Sequence, residues 1–335
     1  MRNTITALLM LCGALLNGAA QANDSVAGIG AGGLEFDTSD AITMEKEALS
    51  ISLSRIRVDY VFRNVTNAPV DIYVAFPLPI INMAEVLGYG GYNVPDPDSA
   101  NFFAFETRVN DRPAPTSVQT KAFVNGKDIT RDLRDANVAF DIPGPRLMDS
   151  LGHMSRADMR KLTAIGALGD GGCGEMVCPL WSLEKIYYRQ QRFEPLTTVR
   201  ISHSYKPAFS TFFVQSDKNL AGSKDARFPV NAPEYATWCM DEGLWRSVNK
   251  PRGPNAPDTF GLGHEIQYIL KTANSWNGPI GDFVLTIDKG APGNLLSLCI
   301  DGIKKTGSAT FEVRKQNYRP DQDLKILFIA PEGAR

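Results

Sequence analysis

The sequence predicts a mainly β protein: antiparallel sheets of the β-sandwich type with a small helical, cysteine-bearing insert. Two observations lead to this prediction. Apolar and polar residues alternate along the stretch from Leu49 to Pro79, which is the period of half-buried strands. Short runs of the same kind recur towards the C terminus, each bounded by turn residues, which is typical of a sandwich.

The first 22 residues have the pattern of a secretory signal peptide. Arg2 precedes an apolar run from Ile5 to Leu16, and Ala20 and Ala22 place small residues where signal peptidase cleaves. The run is shorter than the ~20 residues that a spanning helix needs. We therefore expect cleavage after Ala22 and a periplasmic or secreted protein that has no transmembrane segment once the signal is removed.

Charge and length limit the partners and the domain organisation. Cleavage removes Arg2 and changes the formal net charge from -2 to -3, and no basic run favours nucleic acid as a partner. The length suggests two β domains. We place them at residues 23–145 and 181–335, the second with one helix, on either side of a helical and cysteine-loop insert at residues 146–180.

Two strands begin the first β domain, and each places four apolar residues on one face: Ile56, Val58, Tyr60 and Phe62, then Val70, Ile72, Val74 and Phe76. The residues between them are typical of a turn, so we expect the two strands to pair antiparallel. Upstream of Ser54 the alternation is out of phase with Ile56. That slip requires a bulge or a tight turn near Ser54 and Arg55, and we favour the bulge.

A loop and a second strand pair follow. The stretch from Gly88 to Asp98 is rich in glycine and proline and predicts a long surface loop. We expect strands at Phe103 to Val109 and Val118 to Val124, paired through a turn at Asn110-Asp111, and a short helix within Lys127 to Asp135.

The insert contains a helix and two of the cysteines. Ser155 is positioned to cap the helix, with Asp158 three residues later. The stretch around Cys173 and Cys178 has too few ligands and the wrong spacing for a zinc site, so a local disulfide loop is the better interpretation.

Four cysteines follow the signal segment, and three pairings are open to them. Cys173 and Cys178 are close enough in sequence to meet first, which leaves Cys239 with Cys299. We expect the second bond to join a helix at Tyr235 to Val248 to a strand at Leu296 to Ile300.

Five runs carry a family resemblance: Gly32 to Phe36, Val74 to Pro79, Tyr235 to Asp241, Trp276 to Phe283, and Phe311 to Val313. In this order they resemble the bacterial exported family known as domain of unknown function 4424. The resemblance extends over nearly the whole chain after the signal segment. It implies export and one continuous module, and it implies no activity, cofactor or catalytic residue.

Candidate catalytic residues are few. His264-Glu265 begins like a zinc-protease helix, but the second histidine of that motif is missing. His203 lies on the apolar face of a predicted strand, where a packed, hydrogen-bonded histidine is the favoured interpretation. No serine-hydrolase elbow, phosphate loop or dinucleotide fingerprint is present. We predict no catalytic residue and no cofactor.

Two other groups are candidate binding residues. Asp96 and Asp98 supply oxygen ligands in a loop and are candidates for calcium, although surface Asp-Pro turns are common. Trp276 lies in a turn between two strands, where an exposed indole stacks on a sugar or peptide and a buried one plugs the end of the sandwich.

Together these features favour an exported, non-catalytic binding or assembly module of the periplasm or cell envelope. Its partner is an envelope protein, a peptide or a glycan. The alternative is an envelope hydrolase whose catalytic residues meet only in the folded protein. Such an enzyme requires a deep pocket where at least two of His203, His264 and nearby carboxylates meet, whereas a binding module shows only a shallow groove or an open sheet edge.

Overall fold

The computed structural model describes residues 23–30, 33–88, 91–171, 173, 177–216, 237–250 and 259–332. The strands in them are β1 Ser25–Gly30, β2 Gly33–Phe36, β3 Ile42–Ile51, β4 Ile56–Asn64, β5 Val70–Pro77, β6 Ile81–Asn82, β7 Tyr92–Asn93, β8 Glu106–Val109, β9 Arg112–Pro113, β10 Ser117–Val124, β11 Lys127–Asp128, β12 Leu168–Gly169, β13 Cys178–Pro179, β14 Ser182–Phe193, β15 Thr198–Tyr205, β16 Phe209–Gln215, β17 Thr259–Tyr268, β18 Ile280–Asp288, β19 Leu295–Leu298, β20 Lys304–Lys305, β21 Thr310–Tyr318 and β22 Leu324–Pro331. The helices are α1 Met83–Leu87, α2 Thr130–Asp135, α3 Pro145–Gly152, α4 Arg156–Ala164 and α5 Glu242–Val248, with a 3-10 helix at Lys271–Ser275.

These strands form three large sheets, which confirms the mainly β prediction. The first sheet has the order β11-β10-β14-β5-β1-β2, with β6 also paired to β14. The second has the order β20-β21-β18-β3-β4-β15-β8-β9, and the third β19-β22-β17-β16-β7. The pair of β18 with β3 is parallel, whereas the neighbouring pairs are antiparallel. Each large sheet contains strands from residues 23–145 and from residues 181–335, so the two predicted segments share their sheets.

β4 and β5 share one core, as predicted, but the prediction that they pair with each other is wrong. β4 pairs with β3 and β15, while β5 pairs with β1 and β14 in another sheet. Their apolar residues belong to one core cluster, in which the ring of Phe76 on β5 lies 4.8 Å from that of His203 on β15, the neighbour of β4. Alternation fixes the buried face of a strand and leaves its neighbour open. The five-residue connection, residues 65–69, is long enough to cross the ~10 Å between packed sheets.

Two other local predictions need correction. A tight turn joins β3 to β4, since the amide of Ser52 donates to the carbonyl of Arg55 at 3.0 Å, and the favoured bulge near Ser54 is wrong. The register of this pair shifts between Met44 and Lys46 instead. The second predicted pair is also wrong: β8 pairs with β9 and β15, whereas β10 belongs to the first sheet.

Helices α2 and α4 lie within their predicted stretches. Of the helix predicted at Tyr235 to Val248, the structure shows α5 from Glu242, and residues 235 and 236 lie outside the described residues. Ser155 caps α4 by accepting from the amide of Asp158 at 3.1 Å, as predicted. Asp241 caps α5, which packs Trp245 and Val248 against the third sheet in a second apolar cluster. None of the described helices is both long and apolar enough to span a membrane.

The predicted disulfide pairing is confirmed. Cys173 is bonded to Cys178 and Cys239 to Cys299, with Cα atoms 5.4 and 5.2 Å apart. Cys239 immediately precedes the turn into α5, and Cys299 follows β19 at the edge of the third sheet. The Cys239–Cys299 bond therefore links the segment that precedes α5 to the edge strand β19 of the third sheet.

The first prediction concerns the interior. Val58 is fully buried on β4, so Val58→Asp places an unpaired charge in the core and should unfold the protein or lower its melting temperature by many degrees. Val65→Asp is the matched control, because Val65 is 42% exposed. Thermal unfolding followed by circular dichroism measures both, and equal melting temperatures for the two variants would contradict the core assignment.

The second prediction concerns the disulfides. The Cys239–Cys299 bond closes a loop with a sequence separation of 60, against 5 for Cys173–Cys178. On the chain-entropy model the two bonds constrain the unfolded chain by about 4 and about 2 kcal/mol. Replacing both Cys239 and Cys299 with serine should therefore cost more stability in urea unfolding than replacing both Cys173 and Cys178. The reverse order would show that the entropy of loop closure does not govern these bonds.

Candidate functional site

A buried polar cluster lies between the sheets at the start of β1. Asp24 is fully buried, and its Oδ1 lies 2.8 Å from Nε2 of His203 on β15. The other ring nitrogen of His203, Nδ1, lies 2.8 Å from Oγ1 of Thr107 on β8. Because β15 and β8 are neighbours with His203 opposite Thr107, the register of the sheet sets this contact. The result is a chain of carboxylate, imidazole and hydroxyl.

His203 is held within aromatic side chains. Its ring is stacked 5.1 Å from that of Phe105, and only 4% of the residue is exposed. Thr107 lines an open cavity of about 450 Å³ beside β8, but it is only 5% exposed and its hydroxyl is already bonded to His203. The structure therefore shows the packed, hydrogen-bonded histidine that its position in the sequence predicts.

Glu47 extends the cluster along β3. It is fully buried, and Nδ2 of Asn23 donates to both of its carboxylate oxygens at 3.3 Å. Burial raises the pKa of Glu47 to about 8; the hydrogen bond from Asn23 opposes this rise and the charge of Asp24 adds to it. A neutral, protonated Glu47 is thus favoured at neutral pH in the chain with residues 1–22 attached.

Two tyrosines complete the cluster. The hydroxyl of Tyr60 on β4 donates to Oδ1 of Asn23 and lies 3.3 Å from the hydroxyl of Tyr268 on β17. Burial raises the pKa of both phenols well above the ordinary value, so both stay neutral. The second and third sheets are therefore joined at this point.

Trp276 belongs to the same cluster. It is 3% exposed, its Nε1 donates to the carbonyl of Asp24 at 2.8 Å, and its ring lies 4.5 Å from that of Phe62. The indole of Trp276 is therefore not exposed for stacking on a ligand. The buried alternative, in which the indole fills the end of the sandwich, agrees with the structure.

A second polar region borders an open cavity of about 390 Å³ between α1, β7 and β16, which we call the β16 cavity. Its lining residues are Ala84, Glu85, Gly88, Gly91, Tyr92, Gly171, Ser210 and Thr211. Three glycines leave much of this wall as bare backbone. Two of them have no room for a side chain, since a Cβ on Gly91 would lie 2.6 Å from the carbonyl oxygen of Thr211 and one on Gly88 would lie 2.5 Å from that of Ala84.

Carboxylates give the β16 cavity its polarity. Oγ of Ser210 donates to Glu265 at 3.2 Å, and Glu85 is exposed in the first turn of α1. Burial raises the pKa of Glu265, and the negative charge of Glu85 adds to the rise. Burial also raises the pKa of Tyr92, with smaller contributions from both carboxylates. The cavity therefore presents hydrogen-bond acceptors and negative charge.

The two histidines of interest are not brought together. His264 is on β17 of the third sheet, where Nδ1 lies 3.0 Å from Oγ1 of Thr211, and burial lowers its pKa. His203 is on the second sheet with partners of its own. His203 does meet a carboxylate, that of Asp24, but both residues are almost fully buried rather than exposed in a deep pocket.

The predicted calcium ligands lie at the surface. Asp96 and Asp98 are both exposed, whereas the nearby Asn101 uses Oδ1 to accept from the amide of Phe105 and the hydroxyl of Tyr187. Across the described ranges, no three His, Cys, Asp or Glu residues are grouped so as to hold a metal ion. Calcium binding by Asp96 and Asp98 stays a prediction.

Sequence reasoning missed Asp24, Glu47 and Thr107. Glu47 had a signal, because it shares the parity of Leu49 and Ile51 on β3, and a charged residue on an apolar face marks a special position. Asp24 and Thr107 had none, since their importance comes from a histidine that is distant in sequence.

Comparison with known proteins gives one clear result and one weak one. Among curated proteins, none matches this chain. A solved structure titled as a "putative nutrient binding protein" from Legionella pneumophila subsp. pneumophila str. Philadelphia 1 superposes with a TM-score of 0.42 at 14% identity, over 93% of this chain and 71% of that one. A superposition this loose supports no conclusion about fold or function here.

The family assignment rests on the whole sequence. The family model described as domain of unknown function (DUF4424) matches residues 22–327, which include every strand from β1 to β21. The resemblance seen in the five short runs is thereby confirmed, and this chain belongs to the DUF4424 family.

Proposed function

We propose that the protein is a non-catalytic binding module of the periplasm or cell envelope and that the β16 cavity takes its ligand. The observation that carries this proposal is the composition of the cavity wall: backbone exposed at glycines, the hydroxyls of Ser210 and Thr211, and the carboxylate of Glu85. Such a wall binds by hydrogen bonds, and the pocket is open and shallow; the hydroxyls of Ser210 and Thr211 are bonded to Glu265 and His264.

The ligand class follows from the acceptors. Glu85 offers oxygens to hydroxyl or ammonium donors, and a volume of about 390 Å³ is suited to one or two sugar rings or to a short side chain. Glu265 is not part of the lining and acts through the hydroxyl of Ser210, from which it accepts. A glycan is our first choice, because the half-buried ring of Tyr92 adds an aromatic surface beside these acceptors. A peptide carrying an amine is the second.

The disulfides support a location outside the cytoplasm. Two bonds in one chain are usual in oxidising compartments and rare in reducing ones. This agrees with the secretory pattern of residues 1–22, and together they support the periplasm or cell envelope as the place of action.

One observation favours an enzyme as the second candidate. The chain Asp24, His203, Thr107 has the order of acid, base and hydroxyl nucleophile found in hydrolases, and Thr107 borders a cavity. Against it, Thr107 and His203 are almost fully buried, which leaves little room for a substrate.

The third prediction tests the binding proposal. Titration with neutral oligosaccharides and with lysine-containing peptides, followed by calorimetry, should identify a ligand whose affinity falls about tenfold in Glu85→Gln, because a charged acceptor is lost. Ser210→Ala should lower it by a smaller factor. The matched control is Glu35→Gln, which removes an exposed carboxylate from β2 in a different sheet and should leave affinity unchanged. Equal loss in the control would place the ligand elsewhere.

The fourth prediction separates the enzyme alternative. Purified protein should show no hydrolysis of ester and amide substrates above a Thr107→Ala variant that has the same melting curve. Turnover by the parent chain that is abolished in Thr107→Ala would favour the hydrolase and overturn the non-catalytic proposal.

A further inference from the structure

Two buried carboxylates lack a full positive partner. Asp24 and Glu47 are both fully buried, and the ion pairs that Lys and Arg make within the described ranges involve neither of them. His203 contacts one oxygen of Asp24, while the other, Oδ2, is buried with no hydrogen-bond partner. Arg189 feels the charge of Asp24, but it is half-buried and its guanidinium bonds to Gln191.

An arrangement of this kind is expensive for a folded protein. A buried carboxylate without a counter-ion is either protonated or strongly destabilising. Glu47 is protonated at neutral pH in the chain with residues 1–22 attached, since burial raises its pKa to about 8. The cluster is thus built for one more positive charge than the described side chains supply.

Asn23 is placed to supply that charge. It is fully buried, its side chain touches both Glu47 and the backbone amide of Asp24, and Thr272 of the 3-10 helix donates to its carbonyl at 3.2 Å. Bond lengths place its backbone nitrogen no more than about 5 Å from its own Nδ2, and therefore no more than about 8 Å from the Glu47 oxygens. The small residues Ala20 and Ala22 precede it in the pattern of a signal-peptidase site.

We propose that hydrolysis of the Ala22–Asn23 bond creates the missing counter-ion, an α-ammonium at Asn23 that lies in the interior beside Glu47 and Asp24. Water adds across the amide bond, Ala22 leaves with the new carboxylate, and Asn23 keeps the nitrogen, which is protonated at neutral pH. Processing then does more than release the leader: it completes an ion pair in the core and changes Glu47 from neutral to ionised.

The other groups around the new charge are compatible with it. Tyr60, Tyr268 and Tyr318 feel the charge of Glu47 and have pKa values raised chiefly by burial, so they remain neutral. His203 faces Asp24 from β15, and Arg189 feels Asp24 from β14. Among the described residues, the carboxylate that contacts Asn23 is that of Glu47, and the charge of Asp24 acts on Glu47.

The proposal fixes how stability changes with pH. In a chain with residues before Asn23, Glu47 binds a proton between pH 4.5 and about 8 when folded and releases it when unfolded, so the unfolding free energy falls as the pH rises through that window. With the ammonium present, Glu47 is ionised in both states and this fall disappears. The pair itself stabilises the protein below the ordinary α-amino pKa of about 8 and weakens as the pH rises through the raised folded value.

The test compares two exported forms of the protein. One is the processed chain, with Asn23 confirmed as the first residue by mass spectrometry; the other retains a Gly-Ser extension before Asn23 after processing. Each is also made with Glu47→Gln and, as matched control, with Glu45→Gln, an acidic neighbour on β3 that makes a surface pair with Arg63. Thermal unfolding is recorded from pH 5 to pH 8.5.

We expect the processed chain to be the more stable form at pH 7.5 and the extended chain to lose stability between pH 5 and 8. Glu47→Gln should abolish the pH-dependent loss of the extended chain and narrow the gap between the two forms, since only Asp24 is then left beside the ammonium, whereas Glu45→Gln should leave both unchanged. A stability gap of undiminished size in Glu47→Gln would mean that the extension acts by its bulk, and it would overturn the proposal, as would a first residue other than Asn23.

A second measurement does not depend on the variants folding. Acylation of the α-amine by an amine-reactive reagent at neutral pH should be about tenfold or more slower in the native processed chain than after denaturation, because the buried amine reacts only on local opening. Equal rates in the two states would place the terminus in solvent and overturn the proposal.

Discussion

The contacts of Asn23 and Asp24 are the constraint on which the arrangement of the three sheets depends. These two residues immediately precede β1 of the first sheet. Asp24 bonds to His203 and Asn23 to Tyr60, both in the second sheet, and the hydroxyl of Tyr60 also lies beside that of Tyr268 in the third. Thr272 of the 3-10 helix donates to the carbonyl of Asn23, and Trp276 donates to that of Asp24. Apolar faces alone pack with many relative orientations, whereas hydrogen bonds have short ranges and preferred angles. The polar cluster therefore selects one orientation of the sheets.

Burying these polar groups costs free energy, and hydrogen bonds within the cluster offset that cost for some of the groups and not for others. Most of its polar atoms are satisfied, but Asp24 Oδ2 is not, and Glu47 avoids a buried charge only by holding a proton. A positively charged terminus at Asn23 would remove both deficits at once. The same cluster contains the carboxylate, imidazole and hydroxyl that suggest hydrolysis, so an account of its electrostatics also bears on whether the site is structural or catalytic.

Much of the fold could be predicted from the sequence because its causes are local. Alternation placed Val58 and Phe76 in the core, Ser155 marked the start of α4, and the short spacing of Cys173 and Cys178 fixed both disulfides by elimination. Strand neighbours could not be predicted, since β4 and β5 have the same pattern whether they pair or face each other. The candidate site was hidden for a similar reason: Trp276 carries no local sign of burial, and Asp24 meets His203 only after the sheets are assembled.

The parallel pair of β3 and β18 has a consequence for how the protein reaches its final state. Ala48 lies opposite Val284, so the middle of the second sheet is completed by a strand from the last sixth of the chain. Contacts this distant in sequence form slowly, and until they form β3 offers an unpaired edge to other chains. If the chain crosses a membrane from its N terminus, that edge emerges long before its partner. Late pairing of β3 therefore lengthens the time during which the unfinished sheet is open to aggregation through this edge.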